Sequence, residues 1–142
     1  MNPTIEKFGY PVTLVAEFEH WLVLLRPSQP TLGSLVLAAK GDATAYSALP
    51  RAAFAEQADA VAAIERALTA FTRYERINYL MLMMVDPNVH LHVLPRYSGT
   101  RRWGDVDFPD AGWPKAPQLG NAVALLPEQV RDMAAELSLN FR

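Results

Sequence analysis

The chain has 142 residues, of which 51% are hydrophobic and 20% charged, so it can form one sizeable hydrophobic core. Its 13 basic and 15 acidic residues give a net charge of -2, which excludes a broad positive surface for nucleic acid. Cysteine is absent, which excludes disulfides, thiolate zinc sites and a cysteine nucleophile.

The N-terminal residues and the apolar runs argue against secretion and membrane insertion. The start lacks a basic stretch followed by an apolar one, and the longest apolar run covers only residues 79–85. A membrane-spanning helix needs roughly 20 apolar residues. We therefore expect a cytoplasmic protein with no membrane partner, folded as a single domain over residues 1–142.

Residues 11–39 predict two or three strands. Short runs rich in β-forming residues occur at 12–15, 21–25 and 35–37. The segment Arg26–Gly33 contains two prolines and a glycine, which predicts a loop. An antiparallel hairpin is the simplest arrangement.

A long amphipathic helix is predicted at about residues 50–75. Pro50 suits its first turn, where a backbone N–H is not needed. Apolar side chains recur at spacings of three and four and predict the buried face: Phe54, Ala58, Val61, Ile64, Leu68 and Phe71.

Two further strands are predicted after this helix. Residues 77–85 are too short and too uniformly apolar for a surface helix, which favours a strand buried on both faces. Its methionines, Met81, Met83 and Met84, are interpreted as core filler. After a turn at residues 86–87, alternation from 89 to 94 predicts another strand, which Pro95 should end.

The remaining chain predicts an irregular arm and a short helix beyond a core of about residues 8–97. Residues 98–120 are rich in proline and glycine, and we interpret Trp103 and Trp113 as anchors for this arm. Arg96, Arg101 and Arg102 are interpreted as solvated surface residues. A C-terminal amphipathic helix is predicted from Pro127, with an apolar face formed by Val130, Met133, Ala134 and Leu137.

The strand at residues 89–94 carries the candidate chemistry. Asn88, His90 and His92 are two residues apart, so a strand points all three toward one face. We expect this face to form the floor of a cleft. Two imidazoles with pKa values near neutrality could there act as nucleophile, base or acid.

Three interpretations of the histidine pair remain open at this point. The histidines could be ordinary surface or backbone-bonding residues. They could be metal ligands, although His20 is the only other histidine and Asp86 or a distant carboxylate would have to complete the shell. One imidazole could instead attack phosphorus while the other, aided by Asn88, holds the phosphate oxygens or manages the proton. We interpret His20 as a partly buried structural residue.

The sequence Asn-Val-His-Leu-His-Val-Leu-Pro-Arg, residues 88–96, resembles the histidine triad signature, with Asn88 in place of the first histidine. The residues 93–96 are similar to the diadenosine polyphosphate hydrolase (Fhit-like) branch of that family. The order of predicted elements over about residues 8–96 is also similar. The resemblance implies an α+β fold: an antiparallel sheet of about five strands, one long helix and a short C-terminal helix. It also implies a homodimer.

The resemblance further implies a nucleotidyl hydrolase or transferase that needs no metal or other cofactor. By analogy His90 attacks the α-phosphorus of a nucleotide conjugate, such as a dinucleoside polyphosphate or a nucleoside phosphoramidate, and water cleaves the covalent intermediate. His92 corresponds to the histidine that contacts phosphate and handles the proton. Asn88 can orient a group but cannot carry charge. The alternative is a catalytically weak or inactive nucleotide-binding module.

Three segments depart from the family pattern. Residues 83–87, Met-Met-Val-Asp-Pro, replace a loop in which relatives carry glycine and phosphate-binding donors. Residues 32–34 read Leu-Gly-Ser instead of Pro-Gly-His. Arg26 stands where relatives often have an acidic residue or asparagine that touches ribose. It could favour an additional phosphate or another anion, or be a solvated loop residue, so the sequence leaves the substrate-binding residues unknown.

Overall fold

The computed structural model describes residues 1–142 and contains a five-stranded antiparallel sheet, which confirms the predicted α+β fold. The elements in chain order are α1 (Pro3–Lys7), β1 (Leu14–Glu17), β2 (Trp21–Leu25), β3 (Ser28–Gln29), β4 (Leu35–Ala39), α2 (Arg51–Thr72), β5 (Arg76–Leu80), β6 (His90–Arg96), β7 (Arg101–Trp103), β8 (Val106–Phe108), β9 (Val123–Ala124) and α3 (Pro127–Leu139). The sheet has the order β1-β2-β4-β6-β5. No helix is both long and apolar enough to cross a membrane.

The long helix α2 forms as predicted, but its buried face differs from the prediction. Ile64 and Leu68 are buried, whereas Phe54 and Ala58 are exposed. Small residues instead complete the buried face: Ala53, Ala60, Ala63 and Ala67. Alanines let the helix backbone approach the sheet closely, and the Nε1–H of Trp21 donates to the carbonyl of Ala53 at 2.7 Å. A pattern based on the largest apolar residues therefore misplaces the face by part of a turn.

The sheet is covered on both faces. Alternate residues of β2, including Trp21 and Val23, belong to the main core together with α2 and α3. Leu22 and Leu24 point to the other face and pack with Ile5 of α1. The sequence pattern predicts no element in this N-terminal segment. Asn2 holds it, because its Oδ1 accepts from the N–H of Ile5 at 2.9 Å and its Nδ2 donates to main-chain carbonyls near β4.

The strand predicted at residues 77–85 is shorter than expected and lies at the edge of the sheet. β5 ends at Leu80 and is only half-buried, because β6 pairs with it on one side only. The prediction of a strand buried on both faces is therefore wrong. Met81 and Met83 do pack against the core, but Met84 is 82% exposed and is not core filler.

The motif strand β6 does not end at Pro95, as was predicted, but continues to Arg96. Pro95 pairs with Ile77 of β5. On the other side of β6, the pairing with β4 stops at Val93, opposite Leu35. A proline is tolerated there because no β4 residue faces it to receive a ladder hydrogen bond.

The C-terminal arm is more regular than predicted. β7 and β8 form a hairpin, and β9 pairs with β3 in the loop that follows β2. The predicted helix at Pro127 is confirmed as α3, with its four apolar residues buried. Trp103 anchors the hairpin, since its Nε1–H donates to Glu136 of α3 at 3.2 Å. Arg101 lies over the ring of Tyr97 and donates to the carbonyl of Thr72, so only Arg102 of this pair is a solvated residue.

Arg96 was predicted at the surface but is buried. Its side chain is 4% exposed and that of Asp110 is 1% exposed. The guanidinium binds both carboxylate oxygens of Asp110, at 2.7 and 2.9 Å, and donates to Asn78 at 2.7 Å. The N–H of Tyr97 donates to the same carboxylate at 3.1 Å. This ion pair ties the C-terminal arm to the end of the motif strand.

Candidate active site

His90 and His92 lie side by side on the sheet face that α1 partly covers. They stand opposite Ala38 and Val36 of β4, and their ring centroids are 5.1 Å apart at an angle of 83°. Their exposed fractions are only 2% and 7%. The structure thus brings the two predicted histidines together, in a largely desolvated environment.

A main-chain hydrogen bond sets the tautomer of His90. Nδ1 of His90 lies 2.7 Å from the carbonyl oxygen of Asn88. Because a carbonyl can only accept, Nδ1 must carry the proton of the neutral ring. The lone pair is then on Nε2, which leaves this nitrogen as the candidate nucleophile.

The side chain of Asn88 is engaged with the segments around it. The hydroxyl of Thr4 in α1 donates to Oδ1 of Asn88 at 3.0 Å, and Nδ2 donates to the carbonyl of Asp42 at 3.3 Å. The N–H of Asn88 also donates to Thr4 at 3.3 Å. These bonds hold the main-chain carbonyl that orients His90. The role in phosphate binding expected for Asn88 stays a prediction.

His92 differs from the expectation of a near-neutral pKa. Burial, together with the positive charge of Arg26 and the neighbouring His90, lowers the pKa of His92 from 6.5 to about 4, although Asp86 acts in the opposite direction. His92 is therefore a neutral imidazole at pH 7. It can donate one N–H to a phosphate oxygen but does not supply a proton as a cation.

We expect the depressed pKa of His92 to make the protein less stable in acid. In the unfolded chain His92 should titrate at its ordinary value of 6.5, so between pH 6.5 and about 4 the unfolded state binds more protons. The free energy of unfolding should then fall as pH decreases, by up to about 1.4 kcal/mol for each pH unit. Urea unfolding at several pH values would measure this slope. In His92→Asn the slope should be shallower, and parallel curves for the two proteins would contradict the assignment.

A cavity of about 160 Å³ opens beside the two histidines. Its other walls come from residues 82–86, and Asp86 of this loop pairs with Lys7 of α1 at 2.8 Å. The ring centroid of Phe8 lies 5.7 Å from that of His90 and 5.8 Å from that of His92. Nucleotide-sized ligands typically need about 300 Å³ or more. The cavity admits a phosphate group, and a whole nucleotide requires the loop or Phe8 to move.

Sequence reasoning missed the N-terminal residues that shape this site. Thr4 and Phe8 contact Asn88 and the imidazoles, respectively. The available signal was the pair Asn2-Pro3, a capping residue followed by a proline at the first helical position. The five residues of α1 do not indicate which part of the sheet the helix covers, because tertiary packing decides where the helix lies.

Arg26 lies on the same sheet face as the histidines and is not a solvated loop residue. Its backbone N–H donates to Ser34 at 3.1 Å, which continues the β2–β4 ladder by one residue. Nη1 is buried and has no hydrogen-bond partner. Burial also lowers the pKa of Arg26.

The other candidate residues do not join the site. His20 is half-buried, and its N–H donates to Glu56 of α2 at 2.6 Å. Trp113 lines a groove beside Asn78 and Arg96 at the far end of the sheet. No three His, Asp or Glu side chains converge closely enough to hold a metal ion.

Known structures resemble the whole chain, whereas no protein-family model and no curated protein matches the sequence. A histidine triad protein from Sinorhizobium meliloti is 22% identical, with a TM-score of 0.75 and coverage of 99% of this chain and 95% of that one. One from Bradyrhizobium japonicum is 17% identical, with a TM-score of 0.72 and coverage of 100% and 97%. A hypothetical histidine triad nucleotide-binding protein from Sulfolobus tokodaii is 17% identical, with a TM-score of 0.68 and coverage of 91% and 83%.

The chain has the histidine triad fold. Because the likeness covers nearly the full length of the first two structures, the C-terminal arm and α3 are also part of it. This extends the resemblance beyond residues 8–96. In the histidine triad fold of this chain, His90 and His92 occupy β6, and Asn88 lies two residues before the start of that strand.

Proposed function

We propose that this chain is a histidine triad nucleotidyl hydrolase or transferase, of the diadenosine polyphosphate hydrolase branch, with Nε2 of His90 as its nucleophile. The observation that carries the proposal is the 2.7 Å hydrogen bond from Nδ1 of His90 to Asn88, because it leaves the lone pair on the other ring nitrogen. His90 also lines the cavity, so an incoming phosphate group can reach the ring. The likeness to histidine triad structures supports the proposal at the level of the fold.

The proposed reaction has two displacements at the α-phosphorus of a nucleotide conjugate. Nε2 of His90 forms a bond to phosphorus while the bond from phosphorus to the leaving group breaks, and the leaving group departs with the electron pair and takes a proton from water. Water then attacks phosphorus, loses a proton, and releases His90 and the nucleoside monophosphate. Where an acceptor hydroxyl attacks instead of water, the product is the nucleotidyl ester of that acceptor. Neutral His92 donates a hydrogen bond to a phosphate oxygen in both steps.

Asn88 acts in this proposal as a positioning residue. Its carbonyl orients His90, and its side chain anchors that carbonyl to α1 through Thr4. An asparagine cannot supply the charge of a protonated histidine. Loss of one charge-assisted contact lowers a rate by about tenfold to a hundredfold. We therefore expect a slow enzyme.

We also propose a homodimer in which β5 joins two sheets. β5 pairs only with β6, so its outer edge offers free main-chain groups along Arg76–Leu80. The other edge strand, β1, has an irregular register between Leu14 and Ala16 and is less suited to pairing. We expect the mass of two chains in solution, as measured by analytical ultracentrifugation, and the mass of a single chain would contradict the homodimer.

The function is tested by incubating the protein with adenosine phosphoramidate and, separately, with diadenosine triphosphate. We expect AMP to be released from at least one of them, at the same rate before and after exhaustive chelation of metal ions. A rate that falls with chelation and returns with added metal would support a metal-dependent hydrolase. Absence of AMP from both substrates would contradict the proposed activity.

A nucleotide-binding module without turnover is the second candidate. Two observations favour it: the cavity is small, and loop residues such as Met84 and Val85 stand where relatives carry phosphate-binding donors. Calorimetric binding of AMP without release of AMP from either substrate would identify the module. Turnover would exclude it.

A further inference from the structure

Arg26 carries a half-buried positive charge that no acidic side chain of the chain neutralises. The four ion pairs join Lys7 to Asp86, Lys40 to Glu17, Arg96 to Asp110 and Arg102 to Asp107, and none includes Arg26. Its Nη1 is buried without a hydrogen bond. A desolvated, unpaired guanidinium is unfavourable, and folded proteins retain one mainly where another group compensates it.

The backbone around Arg26 is held firmly, so the fold fixes the point from which its side chain extends. Nε2 of Gln29 donates to the carbonyl of Arg26 at 2.7 Å and to that of Ser34 at 2.9 Å. The same loop pairs with the C-terminal arm, because β3 pairs with β9. Ligand binding then needs no ordering of this backbone, and the entropy cost is limited to the rotamers of the arginine side chain.

A second unpartnered nitrogen lies on the same face. Nδ1 of His92 is buried and has no hydrogen-bond partner. His92 is also near enough to Arg26 for the guanidinium charge to be one of the causes, after burial, that lower its pKa. A ligand with two phosphate groups would satisfy both groups: one phosphate would accept hydrogen bonds from the guanidinium, and the phosphate at His90 would accept the single N–H of neutral His92.

The register of the sheet places Arg26 beyond His92 as seen from His90. His90 lies in the row of Ala38, and His92 in the next row, with Val36. Arg26 lies in the row after that, opposite Ser34. Successive rows on one face are about 7 Å apart. Arg26 follows β2, and β4 separates β2 from β6, so Arg26 is displaced from His90 both along and across the sheet. His92 is one row nearer to Arg26 than His90 is, and a phosphorus bonded to His90 is therefore at the opposite end of the site from Arg26.

We propose that Arg26, next to His92, binds a second phosphate group of the ligand, in addition to the phosphate held at His90 and His92. This inference rests on the proposed function and narrows its substrate class to nucleotides with at least two phosphate groups. The second group could belong to the 5′ phosphate chain or be attached to ribose. Both sources present the same anion to the guanidinium.

The test compares the affinities of AMP, ADP, adenosine 2′,5′-bisphosphate and adenosine 3′,5′-bisphosphate by calorimetry. We expect at least one doubly phosphorylated ligand to bind about tenfold to a hundredfold more tightly than AMP, as for a charge-assisted contact. Tight binding of ADP would assign the second phosphate to the 5′ chain, and tight binding of a bisphosphate to ribose. In Arg26→Gln this advantage should vanish while the affinity for AMP changes by less than about threefold. Arg26→Lys should retain part of it.

Two controls separate ligand binding from structure. Arg102→Gln removes an exposed arginine of the same charge and should leave all four affinities unchanged. Thermal unfolding of Arg26→Gln should show little loss of stability, because the Arg26 side chain takes part in none of the four ion pairs and its buried Nη1 has no hydrogen bond to lose.

Three results would overturn the inference. Equal affinities of the wild-type protein for all four ligands, with normal AMP release from substrate, would overturn this inference alone. Tighter binding of a doubly phosphorylated ligand than of AMP by the Arg26→Gln protein would also overturn this inference alone. Absence of binding by every nucleotide, together with absence of AMP release, would overturn the proposed function as well.

Discussion

Replacement of His90 by asparagine is expected to lower the rate of AMP release by at least about 10³-fold, the scale of the loss when a nucleophile is removed from an intact site. Asparagine is small enough for the buried position, and its amide can still donate to the carbonyl of Asn88. The fold should therefore persist while the nucleophilic lone pair is lost. Steady-state release of AMP from whichever of the two substrates the wild-type protein cleaves measures the effect.

A covalent readout makes this prediction specific to the nucleophile. With substrate labelled at the α-phosphate, rapid quenching in alkali should leave label on the wild-type protein and none on His90→Asn. His92→Asn should slow turnover and still become labelled, because His92 only contacts the phosphate in this mechanism. His20→Asn is the matched control, since His20 lies outside the cavity. Label retained by His90→Asn would show that another residue is attacked.

Replacement of Asp110 by alanine is expected to destabilise the protein by about 3–5 kcal/mol. The substitution leaves the guanidinium of Arg96, whose side chain is 4% exposed, without its bidentate partner. It also removes the acceptor for the N–H of Tyr97. Urea unfolding followed by tryptophan fluorescence measures the difference.

The hairpin β7–β8 contains an exposed ion pair, which serves as a control for the buried pair of Arg96 and Asp110. Arg102 and Asp107 are both exposed, and their closest approach is 3.8 Å. Asp107→Ala should therefore change stability by less than about 1 kcal/mol. The double variant Arg96→Leu/Asp110→Leu should be more stable than Asp110→Ala, because it leaves no unpaired buried charge. If Asp110→Ala were no more destabilising than Asp107→Ala, the buried pair would not anchor the arm.

The helices and strands with strong local patterns were predicted correctly, whereas several of their ends and the burial of several of their residues were not. The helix α2 and the strand β6 follow from hydrophobic periodicity over many residues. Met84, which is exposed, and Arg96, which is buried, were assigned to the wrong environments because the local pattern does not show which segments lie beside them. Whether a residue is at an edge or in the interior depends on which segments lie beside it, and periodicity along one segment does not contain that information.

The properties of the candidate site also fall into those that the sequence determines and those that the tertiary structure decides. The alternation of residues 88–94 by itself determined that His90 and His92 share one face, because side chains alternate across any strand. Only the tertiary structure decided that Phe8 covers them, that burial and Arg26 depress the pKa of His92, and that the guanidinium lacks a partner. These properties arise from groups that are more than 60 residues apart in the chain and meet only when β2, β4 and β6 pair. Local spacing sets direction, whereas distance, desolvation and charge at a site are set by the contacts that the whole fold creates.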